Sequence, residues 1–226
     1  QSGTVTKNVT GDGTAQAVAL TSSEMDTLGE GAVAVTASQT DASGNAQTAA
    51  ATAATFTVDT VVTAPTIDAI ATDGIANKAE TAAGFSITGK GEVGATVTLT
   101  LDSSTTLAGG NTALVGSDGS WSVAIAASDV GNMGQGAESI TAVQVDAAGN
   151  VSAESAASIL TVDTGVPSAA TVALGSGVDS SGATDAEATA TSGVVTVTGE
   201  NGATIVATLT GQSGVVTKTV TGTGSA

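Results

Sequence analysis

Residues 94–101 read Gly94-Ala95-Thr96-Val97-Thr98-Leu99-Thr100-Leu101. Apolar side chains fall on 95, 97, 99 and 101, and threonines on 96, 98 and 100. A period of two puts one set on each face of a β-strand, one toward a core and one toward solvent. β-Branched threonine and valine suit such a pleated, half-buried surface. Trp121-Ser122-Val123-Ala124-Ile125 and Ile140-Thr141-Ala142-Val143-Gln144-Val145 read as further strands.

Glycine and Asp/Asn clusters punctuate these runs. Ser117-Asp118-Gly119-Ser120 reads as a hairpin turn, and Ala147-Ala148-Gly149-Asn150 as another. Two less regular runs, 23–29 and 128–134, read as short helical turns, with Leu28 and Met133 plugging the end of a sandwich. About seven short strands in roughly 100 residues predict an all-β, immunoglobulin-like sandwich, with Trp121 as its core aromatic.

The opening stretch also recurs. Gly94-Ala95-Thr96-Val97 returns as Gly202-Ala203-Thr204-Ile205, Thr57-Val58-Asp59-Thr60 as Thr161-Val162-Asp163-Thr164, and Asp41-Ala42-Ser43-Gly44-Asn45 as Asp146-Ala147-Ala148-Gly149-Asn150. Residues 1–7 resemble 212–218, about two periods on. A fixed period of roughly 105 residues marks a tandem array. The array is entered in mid-repeat. Residues 1–59 read as the C-terminal half of one repeat, 60–163 as a complete repeat, and 164–226 as the N-terminal half of a third. A half sandwich cannot bury its sheet faces alone. Its expected partners are neighbouring repeats of a longer chain or other copies of this one.

Composition narrows the chemistry. The 226 residues carry 4 Lys+Arg against 21 Asp+Glu, a net charge of −17, with no His, Cys or Tyr. All four cations are lysines. There is no Ser-His-Asp triad, no thiolate nucleophile and no conventional zinc site in such an inventory. The charge repels nucleic acid. No apolar run approaches the length of a membrane-spanning helix, and no signal peptide is read at Gln1. No pair of acids is placed in a substrate-shaped cleft, so the chain is not expected to be an enzyme. Lys7 and Lys218, at equivalent strand positions, are read as blunting a sheet edge.

The ordered motifs resemble a known family. Thr57-Val58-Asp59-Thr60, Pro65-Thr66-Ile67, Asp73-Gly74-Ile75-Ala76-Asn77, Glu80, Glu92-Val93-Gly94-Ala95-Thr96-Val97-Thr98, Asp118-Gly119-Ser120-Trp121-Ser122-Val123 and Asp146-Ala147-Ala148-Gly149-Asn150 resemble the bacterial Ig-like repeats of giant biofilm adhesins. The resemblance implies a type I-secreted, extracellular protein of the bacterial cell surface. It also implies extender modules held straight by calcium at the domain junctions. The third unit departs from the pattern: residues 179–187 form a longer segment without the Asn-x-x-Glu of residues 77–80.

Strand direction places the acids independently of that resemblance. In an alternating sandwich the loops sort onto two poles. Asp59, Glu92, Asp146 and the Asp118 turn fall at the entry pole of the complete repeat, and Asp73, Asn77, Glu80 and Asp163 at its exit pole, where Glu200 follows in the next unit. Converging carboxylates repel, and a hard cation with six to eight oxygen ligands relieves this. Calcium is therefore expected, with Asp59, Asp146, Asp163, Glu200 and Asp41 as ligands. For Glu80 and Glu92, ligand and ordinary surface charge remain level readings, and Asp118 reads as a turn former. The expected function is a calcium-rigidified stalk or extender repeat of a cell-surface adhesin or fibre. The alternative is a self-assembling filament subunit whose half domains are completed by neighbouring copies.

Overall fold

The computed structural model describes residues 3–190 and 192–224. Gln1 and Ser2, which begin the match with residues 212–218, lie outside the described residues. The chain forms two compact units, one ending at Asp163 and one beginning at Thr164.

The first unit opens with helix α1 (Ser22–Leu28), closed by a capping box between Thr21 and Glu24. Strands β1 (Gly31–Val35) and β2 (Ala54–Val58) pair antiparallel. Next come β3 (Thr66–Ile67), α2 (Ala71–Gly74), β4 (Ile75–Asn77), α3 (Lys78–Ala83) and β5 (Phe85–Lys90). The series continues with β6 (Thr96–Leu101), β7 (Thr112–Leu114), β8 (Ser120–Ile125), α4 (Ala127–Met133), β9 (Gly136–Val145) and β10 (Ser158–Asp163).

From β3 to β10 the strands form two sheets. One has the order β3-β5-β8 and the other β4-β10-β9-β6-β7. Every pairing is antiparallel except β4 with β10. The fold is an all-β Ig-like sandwich. The chain leaves the small sheet after β3 and joins the large one as β4. The crossing bends at Ala71 and Thr72, whose φ angles are 48° and 62°. Such values are costly for a β-branched residue and persist only where surrounding structure fixes them.

The alternation read in the sequence is the alternation of burial. Val97, Leu99 and Leu101 of β6 meet Ile87 of β5, Trp121, Val123 and Ile125 of β8, and Ile140 and Leu160 of the large sheet in one core. Trp121 is 2% exposed and donates its indole N–H to the Lys90 carbonyl at 3.2 Å. Along β9 the inward residues are Glu138, Ile140, Ala142 and Gln144. Apolar side chains take its middle, and a hydrogen-bonded polar one takes each end.

α1 and α4 occupy the two runs read as helical turns. Met133 packs on the core and Leu28 is half-buried. Two local readings need correction. The turn at 117–120 is present, but β7 and β8 on either side of it lie in different sheets, so it is no hairpin. Lys7 lies outside any strand and pairs with Glu24 at 2.6 Å. A long flexible side chain takes the nearest anion where no edge is there to guard.

The sequence repeat is also a repeat of register. Gly31 opposes Val58, and Gly136 opposes Val162, 105 and 104 positions later. Val35 and Phe56 match Ile140 and Leu160 in this register. The first pair is 43% and 39% exposed, whereas the second is 0% exposed.

The second unit holds β11 (Thr171–Leu174), α5 (Asp185–Ala188), β12 (Val195–Thr198), β13 (Thr204–Gly211) and β14 (Gly214–Thr221). β11 pairs with β12 and β13 with β14, both antiparallel. Ile205 is its buried large apolar side chain. Thr184 and Glu187 form the capping box of α5. The same device closes α3 with Asn77 and Glu80.

Candidate metal centre

Three loops of the first unit deliver one carboxylate each to a single place. Asp59 directly follows β2, Glu92 lies in the loop after β5, and Asp146 begins the turn after β9. One carboxylate oxygen from each lies within 4.8 Å of the other two. Asp146 is buried, and the other two are exposed.

The turn that presents Asp146 is built from its own residues. Asp146 Oδ1 accepts the Asn150 backbone N–H at 2.8 Å, and Oδ2 accepts the Asn150 side-chain amide at 2.7 Å. Gly149 takes a φ of 95°, which glycine adopts without strain. Burial alone would raise the Asp146 carboxyl. Hydrogen bonds from the Asn150 side chain and backbone and from the Gly149 and Ala148 amides outweigh it, so the acid is held below the usual aspartate range. It therefore stays ionised at neutral pH.

Asp41 sits in the same turn one repeat earlier. Asn45 donates its backbone N–H and its side-chain amide to the two Asp41 oxygens, both at 2.8 Å. These bonds, led by the Asn45 side chain, lower the Asp41 carboxyl. The loop is thus formed here too, where among the described residues no second and third acid are grouped with it.

The segment after β2 is tied from several sides. Asn150 Nδ2 also donates to the Asp59 backbone carbonyl at 3.1 Å and to Asp59 Oδ1 at 3.2 Å. Glu30 accepts the Thr60 backbone N–H at 3.0 Å and the Thr60 hydroxyl. Gln144, 0% exposed, donates to the Thr63 carbonyl at 2.7 Å and accepts the Glu92 backbone N–H at 3.0 Å.

The remaining acids named from sequence lie elsewhere. Asp163 ends β10, in register with Asn77 of β4. Glu80 accepts the Asn77 backbone N–H at 3.1 Å and so works as a helix cap. Glu200 is exposed in the turn before β13, where its carbonyl accepts the Ala203 N–H. Asp118 accepts the Ser120 N–H at 3.0 Å, as a turn former does. That bond leads the effects that lower its carboxyl. Among the described residues, the group of three acids that could hold a metal is Asp59, Glu92 and Asp146.

Three carboxylates offer up to six oxygens to one ion. An all-oxygen set without His or Cys suits a hard cation such as calcium, whose flexible shell takes six to eight oxygens. Asn150 was read from sequence as the end of the recurring Asp146–Asn150 turn, whereas Gln144 and Glu30 were not singled out. The signal available for Gln144 is also recurrence: Gln39 stands 105 positions before it, as Asn45 does before Asn150.

One family model fits this architecture. Residues 63–163 match the family of bacterial Ig domains. No curated protein matches the chain. Among solved structures, the chain is 29% identical to a calcium-stabilised adhesin that helps an Antarctic bacterium reach out and bind ice. It covers 86% of this chain and 47% of that one, with a TM-score of 0.43. A 1.5-MDa bacterial ice-binding adhesin studied for its retention at the host cell surface is 23% identical, over 88% of this chain and 63% of that one, TM-score 0.46. A bacterial immunoglobulin-like domain from the M. primoryensis ice-binding adhesin is 28% identical, over 45% of this chain and 98% of that domain, TM-score 0.32. The chain thus spans 47% and 63% of the first two of these structures.

Proposed function

We propose that this chain, whose residues 63–163 match the bacterial Ig domain family, is a stretch of extender repeats from a cell-surface adhesin or extracellular fibre, with calcium tying each linker to the domain that follows. The convergence of Asp59, Glu92 and Asp146 carries this reading. Asp59 belongs to the linker, and the other two acids belong to loops of the domain. An ion bound by all three adds a stronger tie to parts that hydrogen bonds already hold together.

The charge fits the same role. Three ionised groups within a few ångströms repel by an amount that depends on the local dielectric, and a divalent cation turns that repulsion into attraction. Extracellular calcium modules bind at about 10⁻⁴–10⁻³ M, so calcium outside a cell would fill the site. Neighbouring repeats, in the same chain or on another copy, would complete the partial ones and be its partners. The role is mechanical, not enzymatic.

Calcium titration with a chelator control tests the proposal. Calcium is expected to raise the melting temperature and to lengthen and stiffen the particle in solution scattering. Unchanged melting and unchanged dimensions would sink it.

A further inference from the structure

We propose that Gln144 is a positioning residue: its buried amide clamps the incoming linker to the Glu92 loop and sets the spacing of Asp59 and Glu92 before any ion arrives. This rests on the cation reading above for its consequence, but not for the clamp itself.

The clamp uses both ends of one side chain. The amide N–H of Gln144 donates to the Thr63 carbonyl at 2.7 Å, and its oxygen accepts the Glu92 N–H at 3.0 Å. These groups lie 81 and 52 positions away in sequence. Gln144 is 0% exposed, and a buried amide left without partners costs about 1–3 kcal/mol. Neither bond can therefore be given up cheaply to water. A side chain with a donor and an acceptor at one end satisfies both partners, and the amide does so without a change of charge.

The space around it is matched to this task. A Cβ on Gly91 would run into Gln144 Oε1 and meet Val115 Cγ2 at 3.0 Å. Gly91 thus leaves room for the amide beside Glu92. The two halves of the device recur in the partial repeats. Gln39 stands 105 positions before Gln144, and Gly199-Glu200 stands 108 positions after Gly91-Glu92. Outer groups that orient metal ligands typically cost about 10–100-fold in metal affinity when removed.

The test uses the full 226-residue chain. Gln144→Met keeps the bulk and removes both bonds, and Gly91→Ala displaces the amide without altering it. Both variants should speed hydrogen exchange of the Glu92 amide in calcium-free protein by about 10-fold or more and weaken calcium binding by about 10-fold. Leu160→Ala serves as the control, because it creates a core cavity that lowers the melting temperature. It should leave both readouts unchanged under native conditions. Unchanged Glu92 exchange in Gln144→Met overturns the proposal, as does faster exchange with unchanged calcium affinity. Equal effects of Leu160→Ala also overturn it. If the parent chain binds no calcium yet Glu92 exchange responds as expected, the clamp stands and the cation reading alone fails.

Discussion

The side-chain amide of Asn150 donates to the Asp59 carboxylate, 3.2 Å away and 91 positions earlier in the chain. The same nitrogen donates to Asp146 at 2.7 Å. One neutral donor thus stands between two anions and does for them part of what a cation does. Asn150→Asp replaces that donor with another negative oxygen. In chelator the variant should lose roughly 1.5–3 kcal/mol, the scale of a hydrogen bond to a charged group. In excess calcium the loss should shrink or reverse, because the added carboxylate becomes a ligand. Denaturant melts with chelator and with calcium check this. A loss equal in both conditions would contradict it.

Asp146→Asn addresses the ion directly. At about 10 mM calcium, a site with a dissociation constant of about 10⁻⁴–10⁻³ M stabilises the fold by roughly 1.4–2.7 kcal/mol. The substitution removes the buried ligand, so the melting temperature should stop responding to calcium. In chelator the variant should also lose roughly 1.5–3 kcal/mol, because its amide keeps one of the two bonds from Asn150 and gives up the charge-assisted other. Calorimetry with and without calcium separates the two effects.

The core allows a prediction independent of any ion. Trp121 lies flat against Gly89: a Cβ there would overlap the Thr66 carbonyl and two ring atoms of Trp121. Trp121→Ala should cost about 3–5 kcal/mol through the cavity it leaves. Gly89→Ala should cost at least about 1–3 kcal/mol by overpacking, although it adds one methyl group. Equilibrium unfolding read by tryptophan fluorescence reports the second, and circular dichroism the first. A neutral Gly89→Ala would mean that β3 does not approach β5 as closely as the register Ile67–Gly89 requires.

Much of this was legible in the sequence, for physical reasons. A period of two survives translation into burial, so β6 and β8 were readable residue by residue. A repeat copies loops with their chemistry, so the Asp-x-x-Gly-Asn turn announced itself at 41–45 and at 146–150. Strand alternation puts Asp59, Glu92 and Asp146 at one pole, and there an oxygen of each lies within 4.8 Å of the other two. Glu80 shows where such reasoning stops. On paper an acid three places after Asn77 is equally a ligand or an ordinary surface charge, and only the folded chain shows it accepting the Asn77 N–H at the start of the short helix α3. Gln144 shows the opposite failure. A polar residue within a strand reads as outward-facing, and its clamp depends on partners 52 and 81 positions away.

The ion pair beside α1 gives a test of acid sensitivity. Lys7 Nζ lies 2.6 Å from Glu24, and Thr21 donates its backbone N–H and its hydroxyl to the same carboxylate. The lysine first, and then the Thr21 groups, pull the Glu24 carboxyl from an ordinary 4.5 down to about 2. A carboxyl whose folded value is depressed stabilises the fold above its unfolded value and loses that contribution as pH falls to the folded one. The window here is therefore pH 4.5 down to about 2. Glu24→Gln should be less stable than the parent at neutral pH, with the gap closing across that window. Both groups are partly exposed, so the gap should also narrow as salt rises to about 1 M. Amide exchange at Met25 and Gly29, whose N–H groups bond within α1 and its C-cap, reads the effect locally. A gap that widens on acidification would show that Glu24 gains its stability in α1 from something other than its charge.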